Sequence, residues 1–129
     1  MEKQMFCYQC EQTAGCSGCT GKAGVCGKTA RTAGLQDELT GALIGLARTC
    51  ASNPKTENTD RLILEGLFAT VTNVNFDDDA IERLIDKVRA EKEQIAPGCA
   101  VCEAKCGNTD EYDMKRIWEA QEDIRSLKS

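Results

Sequence analysis

Residues 7–26 read CYQCEQTAGCSGCTGKAGVC and hold five of the nine cysteines of this chain. Cys7 and Cys10 are separated by two residues, Cys19 follows after eight more, and Cys26 after a further six. Two cysteines at that first spacing can clamp one metal from a single turn. Two more, delivered by a flexible loop, close a four-thiolate site of the kind that suits an iron–sulfur cluster or structural zinc. Cys16 lies inside the same stretch and could take the place of Cys19. Zinc would use Cys7/Cys10 and Cys16/Cys19 as two knuckles, leaving Cys26 over and crowding the knuckles into adjacent turns. Glycine recurs at every third position, as Gly15, Gly18, Gly21, Gly24 and Gly27. It takes backbone angles closed to other residues and lets amide groups approach closely. The sulfurs of a bulky cluster accept hydrogen bonds from such amides, which help to tune its potential.

The end of this stretch, GKAGVCGKT, looks like a phosphate-binding loop, but the spacing does not fit. Such a loop needs four residues between its first glycine and the Gly-Lys-Thr. Gly21 leaves five and Gly24 leaves two. A buried strand should also precede it, and CEQTAGCSGCT is nothing of the kind. Nucleotide binding is therefore set aside.

The remaining cysteines are Cys50, alone on an apolar helical stripe, and Cys99, Cys102 and Cys106. Cys50 reads as a buried structural thiol. The later three would need a fourth ligand, such as Cys16 or Cys50, to hold a metal, and read more simply as small apolar residues packed in a loop. An odd cysteine count without an export signal argues against a disulfide scaffold. There is no histidine, which removes the usual proton shuttle and the commonest zinc-site nitrogen. With 21 acidic against 16 basic side chains, the net charge of −5 argues against a nucleic-acid partner. No apolar run reaches membrane-spanning length. The start, MEKQMFCYQC, lacks the apolar segment of a secretory signal, so the expected location is cytoplasmic.

The elements that must position the cysteines read as helices. Leu35, Leu39, Leu43, Leu46, Ala47 and Cys50 recur at steps of three and four, predicting a helix from about Thr32 to Ser52 that Asn53-Pro54 stops. A second helix is expected over Thr59–Thr72, with Leu62, Ile63, Leu67, Phe68 and Val71 inward. A third is expected from about Asp78 to Gln94, with Asp77 as N-cap, Phe76 stapled onto Ile81, and a stripe of Ile81, Leu84, Ile85 and Val88. The run Asp77-Asp78-Asp79 reads as a charge cluster at that helix start. A fourth helix is expected from near Thr109, with Asn108 and Glu111 spaced as a capping box and with Met114, Ile117, Trp118, Ile124 and Leu127 apolar. No segment alternates at period two. The expected fold is all-α: a small bundle of about four helices preceded by a Cys/Gly-rich cluster-binding loop. Its divisions are a cluster loop over 1–31, a three-helix bundle over 32–95, and a cysteine-containing loop with a final helix over 96–129.

The motifs MFCYQCEQTAG, GCT, GVCGKTA and LQDEL resemble the N-terminal segment of the hybrid-cluster proteins, also called prismane proteins or hydroxylamine reductases. APGCAVCEAKCGNTDEYDMKRIWEAQEDIRSLKS resembles a segment further along in that family. The likeness spans nearly the whole chain, least distinctly in residues 54–95. It implies a [4Fe–4S] cluster, and aligning GCT places the ligands at Cys7, Cys10, Cys19 and Cys26, with Cys16 the alternative to Cys19. Family members with a longer gap after the second cysteine carry a [2Fe–2S] cluster, so the short gap favours the cubane.

The family also has a second iron–sulfur–oxygen cluster where substrate is reduced. Its ligands, which include a histidine, glutamates and several cysteines, come from later domains. The resemblance thus implies an electron-transfer N-terminal domain of an oxidoreductase that in full-length form would reduce hydroxylamine or nitric oxide. Alone the chain is expected to be inactive, and its partners would be C-terminal catalytic domains or a redox partner protein. A stand-alone electron carrier or redox sensor is the alternative, and a zinc-stabilised interaction module a further one. The apolar stripe over residues 109–128, without downstream helices to cover it, predicts a homo-oligomer through that segment.

Overall fold

The computed structural model describes residues 5–10, 15, 17–71, 76–97, 111–114, 116 and 121. Three helices run in order: α1 over Ala30–Ser52, α2 over Thr59–Val71 and α3 over Asp78–Ile95. The described residues are mostly helical and contain no strand, only two isolated bridges within the cysteine-rich segment.

Local chemistry explains the helix ends. Thr29 is extended (φ −80°, ψ 162°) and its hydroxyl accepts a hydrogen bond from the Thr32 amide at 3.1 Å, so α1 begins at Ala30, two residues before the expected start. Asn53 is extended ahead of Pro54, and its side-chain amide donates to the Thr49 carbonyl at 3.0 Å, supplying one of the partners that a helix end lacks. Asp77 caps α3, accepting from the Ala80 amide at 3.1 Å.

Cross-helix contacts set the topology. Gln36 in α1 donates to the Ala69 carbonyl in α2 at 3.2 Å, and Leu43 lies against Gly66, so α1 and α2 run antiparallel. Arg31 and Thr32 meet Asp78 and Glu82, while Glu38 meets Arg89, so α1 and α3 run parallel. The result is an up-down-up bundle in which each helix packs on the other two. Leu39, Ala42, Leu43 and Leu46 of α1, Ala69 of α2, and Ile81, Ile85 and Val88 of α3 form the core, with Leu35, Cys50, Ile63 and Leu84 packed at its margin.

The inward face of α2 differs from the expected one. Leu62, Gly66, Ala69 and Thr70 are buried, whereas Leu67 and Phe68 are 45% and 62% exposed. A Cβ at Gly66 would lie 2.7 Å from Leu43 Cδ1. The small-residue face of α2 around Gly66 thus receives the Leu43 side chain, and the helix turns Leu67 and Phe68 outward. Ala47 of α1 is likewise exposed.

Beyond α3, Glu111, Tyr112 and Asp113 are not helical, which overturns a helix start near Thr109. Glu111 does not serve a capping box. Its carboxylate accepts from Arg89 Nε at 2.8 Å and Nη2 at 2.9 Å, while the Tyr112 amide donates to the Gly41 carbonyl at 3.2 Å. Among the described residues three helices are found; Arg116 is helical, and most of the segment expected to form the fourth helix lies outside the described residues. Ile117, Trp118, Ile124 and Leu127 lie outside the described residues, as does most of the 109–128 segment expected to drive association. No helix among the described residues is long and apolar enough to cross a membrane.

Candidate metal centre

Two extended stretches lie side by side at the start of the chain. The Met5 amide donates to the Gly21 carbonyl at 3.2 Å. Two residues on, Cys7 and Cys19 exchange both backbone hydrogen bonds, at 3.1 and 2.8 Å. Directly opposed residues in an antiparallel pair carry their side chains on the same face, with Cα atoms about 5.5 Å apart when the pair is hydrogen-bonded. Cys7 and Cys19 therefore present their thiols to one side of this ribbon. Cys19 is buried and Cys7 half-buried, and both pack with Met5, Ala30 and Ala33, which fastens the ribbon to the first turn of α1.

Glycine is required at one point of the ribbon. Gly18 has φ +89°, and a Cβ there would lie 3.0 Å from Phe6 Cε2 and 3.3 Å from Tyr8 Cδ2. Phe6 is buried beneath it. The backbone can turn back beside Cys7 only because position 18 carries no side chain.

Cys10 sits in a bend three residues beyond Cys7 and is half-buried. Cys26 is exposed on a second tight turn, closed by hydrogen bonds from the Gly27 amide to the Gly24 carbonyl at 2.9 Å and from the Gly24 amide to the Lys28 carbonyl at 2.8 Å. Gly27 takes φ +88° in that turn. A Cβ at Gly24 would reach within 3.4 Å of Cys26 Sγ, so Gly24 leaves the thiol its space.

Lys28, which sequence reasoning passed over as part of a failed phosphate-loop motif, is 1% exposed. Its amine donates to Gln9 Oε1 at 2.9 Å, approaches Cys7 Sγ at 3.8 Å and lies 6.0 Å from the centroid of the Phe76 ring. All three residues of the Gly-Lys-Thr run thus have local work: Gly27 makes the turn, Lys28 ties it back to the Cys7–Cys10 bend, and Thr29 caps α1. Phe76 is half turned to solvent under this amine.

Cys7 and Cys19 are brought together as a pair, with Cys10 and Cys26 on the flanking turns. Among the described residues no group of three or more Cys, Asp or Glu side chains gathers into an ion-binding set. The donor chemistry nonetheless fits a thiophilic metal group: four sulfurs on one backbone-pinned segment, with a buried amine beside one of them. Cys16, Cys99, Cys102 and Cys106 lie outside the described residues. Cys50 is remote, at the margin of the helical core, where burial pushes its thiol up from the ordinary range.

A second polar site stands at the other end of the bundle. The carboxylate of buried Glu91 in α3 accepts from the Thr56 hydroxyl and, at 2.6 Å, from the Thr59 hydroxyl at the start of α2. These hydrogen bonds hold its carboxyl below the usual range, against the opposing effect of burial. The site ties α2 to α3 and has no metal-binding partner among the described residues.

The family model for the Prismane/CO dehydrogenase family matches residues 5–129. A hydroxylamine reductase from Porphyromonas gingivalis strain W83 is 39% identical over 148 residues, covering 99% of this chain and 27% of its own length. Hydroxylamine reductases from Bacteroides thetaiotaomicron and Desulfovibrio desulfuricans are each 41% identical, covering 96% and 95% of this chain and 25% and 22% of theirs. The chain thus spans about a quarter of the length of the curated relatives it matches.

Proposed function

The chain belongs to the Prismane/CO dehydrogenase family, and from that premise we propose that it holds a [4Fe–4S] cluster on Cys7, Cys10, Cys19 and Cys26 and serves as the N-terminal electron-transfer domain of a reductase. The observation that carries this reading is the reciprocal backbone pairing of Cys7 with Cys19, which puts two thiols from opposite ends of the loop on one face. The hydroxylamine reductases it resembles suggest hydroxylamine as the substrate of the complete enzyme.

Such a cluster, when bound, accepts and releases one electron at a time. The residues of the chain do the rest. Cys7, Cys10, Cys19 and Cys26 would bind it as thiolates. Met5, Ala30 and Ala33 exclude water from beneath Cys19. Gly18 and Gly27 let the backbone fold closely around the thiols. A site with all four thiolates engaged offers no open metal position for substrate, so reduction of substrate is assigned to the part of the enzyme that the relatives carry beyond this chain.

The test is metal analysis after anaerobic reconstitution of the full chain with iron and sulfide. About four irons and four sulfides per chain, in a brown protein, are expected from this cluster type. Stoichiometric zinc with little iron under the same conditions overturns the reading in favour of a zinc-stabilised module.

A further inference from the structure

We propose that Lys28 is the charge-compensating residue of the thiolate site and that its ammonium raises the reduction potential of the cluster. The inference rests on the cluster reading above and goes beyond it, since nothing in that reading assigns Lys28 a role.

An ammonium removed from water is costly unless it is paired. Lys28 has almost no solvent access, and its partners among the described residues are the Gln9 amide oxygen, the Cys7 sulfur and the face of the Phe76 ring. Two of these are dipolar or quadrupolar. Among them only the Cys7 sulfur can carry a full negative charge, and it does so as a metal-bound thiolate. Full compensation of Lys28 is thus achieved with the metal site formed.

The placement is specific. Lys28 follows Cys26 by two residues, yet its side chain reaches back to Cys7 and Gln9, at the other end of the loop. One cation therefore serves both ends of the four-cysteine segment. A one-electron reduction adds negative charge to the assembly of thiolates and iron. A fixed cation held nearby in a poorly hydrated site favours the reduced form. Replacing it by a neutral side chain of similar length should shift the equilibrium towards the oxidised form.

The experiment compares wild type, Lys28→Met and Lys28→Arg as full chains reconstituted with iron and sulfide. Each is titrated with dithionite through redox mediators and followed by low-temperature EPR of the reduced state. Lys28→Met is expected to lose at least tenfold in the one-electron equilibrium constant, a fall in midpoint of about 59 mV. Lys28→Arg, which keeps the charge, should stay close to wild type.

A loaded Lys28→Met chain with the wild-type midpoint overturns the inference while leaving the cluster reading intact. If Lys28→Met keeps its helical circular dichroism but takes up no cluster, Lys28→Arg decides. Uptake with a near wild-type midpoint upholds the charge role, and failure to load shows that Lys28 serves the loop by its shape. A wild-type chain that binds no iron and sulfide overturns the cluster reading itself, and the inference with it.

Discussion

Cys7 and Cys19 face each other across two extended stretches, each donating its backbone amide to the carbonyl of the other, at 3.1 and 2.8 Å. The pairing decides which side chains share a face. A residue offset by one along either stretch would point to the opposite side. Cys19 is therefore held in register with Cys7 by the backbone itself.

On the cluster reading proposed above, this register favours Cys19 over Cys16 as the third ligand. Cys19→Ala is expected to abolish cluster assembly, while Cys16→Ala should retain about four irons per chain. Iron analysis together with EPR of the reduced protein checks both variants. The reverse pattern would show that the loop closes on Cys16.

Gly18 is the hinge of the same ribbon. Its φ of +89° disfavours any L side chain, and a Cβ there would lie 3.0 Å from Phe6 Cε2, so that the ring would have to give way slightly. Gly18→Ala should cost about 1–2 kcal/mol from backbone strain alone. Gly21→Ala is the control, since nothing lies within 4 Å of its Cβ position and its φ is ordinary. It should change stability by less than about 0.5 kcal/mol. Urea denaturation of the two variants side by side measures the difference.

What was legible in the sequence divides along physical lines. The ends of α1 and α3 are written in neighbouring residues: a threonine or aspartate whose oxygen reaches an amide three residues on, or an asparagine before proline. The apolar periodicity of α1, its Asn53-Pro54 stop and the Asp77 cap of α3 put the expected boundaries within two residues of the structure, and the Thr29 cap accounts for the earlier start of α1. The inward face of α2 was not legible. Leu67 and Phe68 belong to the most apolar stripe, but the fit of Leu43 over Gly66 chooses the face, and that fit joins residues far apart in the chain. Lys28 was hidden for the same reason. Its partners at 7, 9 and 76 are distant in sequence, and its motif suggested a different ligand altogether. The start of the last helix went astray because Glu111, spaced as a capping residue, is taken by Arg89.

Glu91 makes the acid side of the stability curve testable. Its carboxyl is held below the ordinary value of about 4.3 by the Thr56 and Thr59 hydroxyls. The unfolded state therefore binds its proton first as pH falls. The stabilisation is fully present above the unfolded pKa and is lost as pH falls through the depressed folded pKa. Glu91→Gln keeps an acceptor but loses the charge, and should cost about 1 kcal/mol near neutral pH. Glu91→Ala leaves the buried Thr59 hydroxyl without its acceptor and should cost about 1.5–3 kcal/mol. Urea melts at about pH 7 and about pH 3 should show the gap between wild type and Glu91→Gln narrowing at the lower pH. A gap independent of pH would mean that the charge contributes nothing.

The face of α1 beneath residues 111–112 gives the last prediction. Gly41 and Gly45 lie one turn apart, and the segment 111–112 rests on them. The Gly41 carbonyl accepts from the Tyr112 amide, and Arg89 links Glu111 to Glu38 of α1. A methyl group at 41 would fall on the Tyr112 carbonyl oxygen, and one at 45 would lie 3.1 Å from Glu111 Cγ. Gly34, on the same helix, has nothing within 4 Å of its Cβ position. Gly34→Ala should therefore stabilise the chain by about 0.5–1 kcal/mol through helix propensity. Gly41→Ala has the same propensity gain but must push the 111–112 backbone away. That weakens a backbone hydrogen bond worth about 1 kcal/mol and a half-exposed ion pair worth about 0.2–1 kcal/mol. Gly41→Ala should thus fall at least about 1 kcal/mol below Gly34→Ala in urea denaturation. Equal stabilisation by the two substitutions would show that the 111–112 segment does not rest on α1 in solution.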